Sequence, residues 1–123
     1  MIEASCHCGA VRLQIAAAPA QITDCNCSIC RRLGARWAYY PPDDVTIIAA
    51  PRATAAYAWG EKAIAFHHCR TCGCPTHWRG LYETRYDRMG VNARLFDPAV
   101  LKGVAVRKLD GAETWKSRIE PGE

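Results

Sequence analysis

Apolar and polar residues alternate along "VRLQI", with Val11, Leu13 and Ile15 on one side and Arg12 and Gln14 on the other, the period-two pattern of a half-buried strand. That strand starts just after Gly9, and "AAAPAQ" around Pro19 interrupts it before "ITDC" extends toward Cys25. "SICRRLGA" predicts one or two helical turns stopped at Gly34, and "RWAYY" a strand ended by Pro41 and Pro42, with a turn at Asp43 and Asp44. "VTII", "ATAAYAW" and "KAIAFHHC" predict three more short strands, the last two joined at Gly60 and Glu61 and the last ending on Cys69. "RGLYETRYD" reads as a loop and "RMGVNARLF" as a strand. The clearest helix signal is "DPAVLKG", with Asp97 as cap and Pro98 at the first helical position. "VAVRKL" and "DGAETW" then predict strand, Asp110-Gly111 turn and strand. Many short strands with little helix predict a mainly β protein, a small antiparallel sheet domain.

Length and composition narrow the picture. The 123 residues suit one domain spanning residues 1–123, with too little outside a core for a second. No apolar run approaches the roughly 20 residues of a membrane span. The opening "MIEASCHCGAVRLQI" has Glu3 and Cys6 where a secretory signal needs a basic and then an apolar stretch, so a cytoplasmic location is expected. The arginines, among them Arg12, Arg31, Arg32, Arg36, Arg79 and Arg94, are scattered, and no nucleic-acid partner is expected. The formal charge of +4 would itself fall to about +1 if seven thiolates held two zinc ions.

The eight cysteines are the candidate chemistry. They lie as Cys6 and Cys8, then Cys25, Cys27 and Cys30, then Cys69, Cys72 and Cys74. Close spacing in a reducing compartment favours a shared ion over disulfides, because neighbouring thiols rarely bond each other yet can reach one ion about 2.3 Å away. Cys69, Cys72 and Gly73 form a knuckle supplying two ligands, and Cys6 and Cys8, followed by Gly9, are the partners that complete a closed, structural site of four cysteines. Cys25, Cys27 and Cys30 then form a set of three. Three readings stand for it: an open zinc site with its fourth position left to water or substrate, closure by Cys74, or some other pairing. His67 and His68 face opposite ways on a strand, so at most one points at a nearby site. His7 is expected to face outward, His77 is unassigned, and the tryptophans and tyrosines read as core or pocket wall.

The ordered layout C-x-C-G-A-V-R, C-x-C-x-x-C-R-R, C-x-x-C-G, "GVNARLFDP" and "DGAETW" resembles the glutathione-dependent formaldehyde-activating enzyme family, which includes centromere protein V. The resemblance implies a β-tent-like zinc fold. It implies structural zinc on Cys6, Cys8, Cys69 and Cys72, a second, catalytic zinc on Cys25, Cys27 and Cys30, and no ligand role for Cys74. The implied activity is that of a carbon–sulfur lyase joining glutathione and formaldehyde into S-hydroxymethylglutathione. Asn26 stands where the family often has histidine, and Cys74 where a small non-thiol residue is usual. Arg31 and Arg32 are candidates to meet glutathione carboxylates. The reading from another class is a non-catalytic, zinc-stabilised binding module, which fits the lack of an evident acid–base residue beside the triple cluster.

Overall fold

In a computed structural model that describes residues 1–81 and 87–122, Val11, Leu13 and Ile15 are fully buried and Arg12 is exposed, as their alternation requires. The strands are β1 (Ile2–Ser5), β2 (Val11–Ile15), β3 (Gln21–Cys25), β4 (Trp37–Tyr40), β5 (Val45–Ala49), β6 (Thr54–Tyr57), β7 (Ile64–Cys69), β8 (Pro75–Gly80), β9 (Met89–Asn92), β10 (Ala105–Leu109) and β11 (Ser117–Glu120). Among the described residues one α-helix, α1 (Ser28–Leu33), follows β3. The strands form a three-stranded sheet, β1-β2-β5, and an eight-stranded sheet in the order β11-β10-β3-β4-β9-β8-β7-β6. The mainly β expectation holds, and the pairs are antiparallel except β3 with β10. Among the described residues, no helix is long and apolar enough to cross a membrane.

Several elements differ from the sequence reading, each for a physical reason. β1 precedes Gly9 and pairs with β2 from Ile2↔Ile15 to Ser5↔Arg12, but with one buried residue, Ala4, its alternation is too short to read. β8 was hidden because Thr76, His77 and Trp78 are consecutive and all buried, which erases period two in a strand covered on both faces. The expected loop therefore begins with strand residues Arg79 and Gly80, while its residues 82–86 lie outside the described part. In "RMGVNARLF" the strand stops at Asn92, whose side-chain oxygen accepts from Arg94 N–H at 3.1 Å and starts a 3-10 turn, Ala93–Leu95. "DPAVLKG" does use Asp97 as cap, accepting from Ala99 N–H at 2.9 Å, but yields only the 3-10 turn Pro98–Leu101. Gly103, at φ 77°, then redirects the chain into β10. "DGAETW" is a run of turns, and the final strand begins only at Ser117.

Two apolar clusters form among the described residues. The larger joins β2 residues to Ala38, Tyr40, Met89, Val91 and Phe96 and takes in Cys6 and Cys69. The smaller contains Cys25, Cys30, Ala35, Trp37, Phe66 and Trp78. The parallel β3–β10 pair, registered from Gln21↔Ala105 to Cys25↔Leu109, carries the turn that follows Leu109 to the side of Cys25. Lys108 Nζ donates to Asp24 Oδ2 at 2.8 Å across this pair and fixes its register.

Two consequences are measurable. Trp78 lies over its cross-strand partner Gly90, where an added Cβ would sit 2.6 Å from the indole Cδ1, so Gly90→Ala is expected to cost about 1–3 kcal/mol in urea unfolding. His77 is buried and stacked on His67 at 4.4 Å, and burial, then the charges of His67 and Arg79, lower it to about 3. Above the unfolded value of about 6.5 neither state takes the proton; below it the unfolded chain does and the fold does not, so stability drops as pH falls toward the folded value. The expected slope from this group is up to about 1.4 kcal/mol per pH unit, absent in His77→Gln, as followed by urea melts between about pH 6.5 and 4.

Candidate functional site

Two tight turns bring four thiols together. After β1, Cys6 N–H donates to Val11 O at 3.0 Å and Val11 N–H to Cys6 Sγ at 3.4 Å, around Gly9 at φ 82°. Between β7 and β8, Gly73 N–H donates to Cys69 O at 2.9 Å and Cys72 N–H to Cys69 Sγ at 3.5 Å, around Gly73 at φ 81°. A positive φ at both glycines lets the chain fold back so that amides face sulfur. The sulfurs of Cys6, Cys8, Cys69 and Cys72 all lie within 4.8 Å of one another. The Cys6–Cys8 and Cys8–Cys69 separations are 3.7 and 3.6 Å. A tetrahedral zinc with sulfurs at about 2.3 Å has edges of about 3.8 Å, so the donor set fits that ion. All eight cysteines are free thiols. Backbone N–H groups of Cys74 and Cys8 lower the Cys72 thiol to about 5.

The second group stands where β3 ends. Cys25 closes β3, Cys27 caps α1, and Cys30 lies in its first turn, and the three sulfurs lie within 4.8 Å of one another. Amides again face sulfur: Cys27 N–H to Cys25 Sγ at 3.4 Å and Cys30 N–H to Cys27 Sγ at 3.5 Å. The Trp37 indole N–H donates to Cys30 Sγ at 3.3 Å. A hydrogen bond from Cys30, opposed by burial and aided by the amides of Cys27 and Gly111, lowers Cys25 to about 6. The same pairing pushes Cys30 up, so the two share a proton that a bound cation would displace.

These three sulfurs sit in a cleft of about 930 Å³. Six rings line it: Trp37, Tyr39, Trp59, Phe66, Trp78 and Trp115. Arg31, Arg88 and Arg107 supply positive charge against one acid, Glu61. The Arg88 guanidinium lies 4.2 Å from the Tyr39 ring centroid, and burial raises the Tyr39 hydroxyl above its ordinary value, so it keeps its proton.

Asn26, between two of the thiols, clasps the turn that follows β10. Its side chain donates to Asp110 Oδ1 at 3.0 Å and accepts from Ala112 N–H at 3.0 Å. Asp110 in turn accepts from Thr114 N–H and Oγ1 at 3.3 and 2.9 Å. The clasp seats Gly111 so closely that a Cβ there would lie 2.7 Å from Cys25 Sγ.

The structure thus groups Cys6 with Cys8, Cys69 and Cys72, and Cys25 with Cys27 and Cys30. Cys74 does not close the triple group: its thiol shares a hydrogen bond with Cys72 and its surroundings are the His7 backbone and Cys6, because Cys69 N–H to Cys74 O at 2.9 Å ties it to the other turn. Arg31 lines the cleft, whereas Arg32 Nη1 donates to Ser28 O at 2.8 Å. His7 is exposed as expected, and His67 and His77 pair with each other. Sequence reasoning missed the Asn26–Asp110 clasp, Gly111 over Cys25, and Arg88 and Arg107 in the cleft. Only the Asp110-Gly111 turn gave a signal, and it read as an ordinary hairpin.

The model of the family described as glutathione-dependent formaldehyde-activating enzyme matches residues 1–112. Among solved structures, a Rhodobacter sphaeroides protein is 30% identical with a TM-score of 0.68, the match covering 78% of this chain and 88% of that one. Two turn-built thiol groups in a β fold, matched by that family over nearly all of the sequence, lead to one conclusion: the chain belongs to the glutathione-dependent formaldehyde-activating enzyme family.

Proposed function

We propose that residues 1–123 act as a single-domain, zinc-dependent carbon–sulfur lyase that forms or cleaves the adduct of a thiol with an aldehyde. Glutathione and formaldehyde, giving S-hydroxymethylglutathione, are the pair the family's name supports. The observation that carries the reading is the number of sulfurs at each group: four at one, and three at the other, where an open cleft meets them. Cys6, Cys8, Cys69 and Cys72 would hold a structural zinc, and Cys25, Cys27 and Cys30 a second. At three ligands, zinc would keep an incoming thiol as its nucleophilic thiolate.

The chain's own groups do the rest. Trp37 and the Cys27, Cys30 and Gly111 amides orient the three sulfurs. Arg31, Arg88 and Arg107 offer charge-assisted bonds to the carboxylates of a thiol carrier such as glutathione. In the forming direction the sulfur bonds to the carbonyl carbon while the thiol's proton ends on the carbonyl oxygen; cleavage reverses both. Holding thiol and aldehyde together supplies much of the rate. A cytoplasmic location, where glutathione and reduced thiols coexist, suits this chemistry.

Serine substitutions separate the two groups. Serine at Cys27 still caps α1, so Cys27→Ser is expected to cut turnover by more than about 100-fold, since outer-shell changes alone are worth about 10–100-fold. Its melting temperature should move by less than about 5 °C, near 1 kcal/mol. Cys69→Ser should instead unfold the zinc-loaded protein at ordinary temperatures, because structural zinc binding is folding free energy. Retained turnover in Cys27→Ser, or equal unfolding of both variants in calorimetry, would contradict the assignment and favour a scaffold.

Gly111→Ala drives a Cβ toward Cys25 Sγ. It should weaken zinc at the triple group by about tenfold or more in competitive chelation, with the four-thiol group unaffected.

A further inference from the structure

The cleft holds more aromatic surface than a one-carbon aldehyde can use. Its inner rings satisfy one another: Trp37 packs on Phe66 with centroids 6.0 Å apart, and Tyr39 meets Trp78 edge-on at 5.9 Å. The outer two do not. Trp59 is 45% exposed and Trp115 is 68% exposed, both line the cleft, and among the described residues neither stacks on another ring.

Trp115 is also held in an unusual backbone state. Its φ of 59° is left-handed, a conformation a bulky residue adopts only when its surroundings impose it. Trp115 N–H donates to Asp110 O at 2.7 Å, and Asp110 is itself pinned by Thr114 and Asn26. The indole belongs to neither apolar cluster, so this strain serves no core. Trp59 comes from a separate turn, where its carbonyl accepts from Lys62 N–H at 2.9 Å. Two turns far apart in sequence thus present bare indoles at the rim of a cleft that reaches three thiols.

Resting on the lyase reading above, we propose that the aldehyde partner of this chain is an aryl aldehyde whose ring lies against Trp59 and Trp115. The division of the cleft fits: arginines match the carboxylates of the thiol carrier, and the indoles match a flat ring. A planar ring conjugated to a carbonyl gains offset stacking on indole that a flexible alkyl chain does not. In cleavage the carbon–sulfur bond breaks, the hydroxyl proton passes to sulfur, and the aryl carbonyl re-forms.

The test uses the zinc-loaded full chain and stable thioethers in titration calorimetry: S-benzylglutathione, S-methylglutathione and S-hexylglutathione. S-benzylglutathione is expected to bind about tenfold more tightly than the S-methyl probe, Trp115→Ala to lose most of that preference, and Trp115→Phe to keep it. Because Trp115 is mostly exposed, its truncation leaves the fold intact. Equal binding of S-benzyl and S-methyl probes, or of S-benzyl and S-hexyl probes, overturns the proposal. Turnover of the benzaldehyde and formaldehyde adducts separates it from the reading it rests on. Turnover of both with no aryl preference sinks the ring site and leaves the lyase. A benzyl preference with neither adduct turned over supports the ring site and sinks the lyase.

Discussion

Sulfurs brought to within 4.8 Å of one another in two groups are the constraint on which the rest depends. Thiolates at that spacing repel and thiols there must share protons, so the amides aimed at sulfur matter, and each group is a donor set that could hold a cation. The first group links the turn before β2 to the turn between β7 and β8, which lie in different sheets. With few helices and short strands among the described residues, an ion held there would supply much of what a larger apolar core otherwise supplies.

The second group places the same donor chemistry in a different setting. Both groups use cysteines two or three positions apart and amide-to-sulfur bonds. The first is completed by a second segment of chain. The second meets a cleft instead, and the parallel β3–β10 pair brings only a glycine and a tryptophan-bearing turn to its side. Asn26 secures that turn from between two of the thiols, so loop position and sulfur position are mechanically joined.

Much of this was legible in the sequence. Clustered cysteines followed by Gly9 and Gly73 announce turns that aim sulfur inward, and the alternation at Val11, Leu13 and Ile15 announces a strand, because both are local rules. What was not legible is non-local. β8 hides because burial of both faces removes periodicity at Thr76, His77 and Trp78. The Asn26–Asp110 clasp joins residues 84 positions apart. Cys74 could be assigned only once the Cys69 amide was seen to bind its carbonyl. Trp59 and Trp115 read as ordinary wall residues because exposure and a left-handed φ leave no trace in composition.

The central claim is that the chain holds two metal sites of different completeness, one closed by four sulfurs and one open at three. Cobalt(II) titration of metal-free protein, read by its ligand-field and sulfur-to-metal absorption before and after glutathione is added, tests it most directly. The account predicts two ions per chain, one site whose spectrum ignores glutathione and one whose bands shift as a new sulfur joins it. A single ion per chain, or two sites equally indifferent to added thiol, would contradict it.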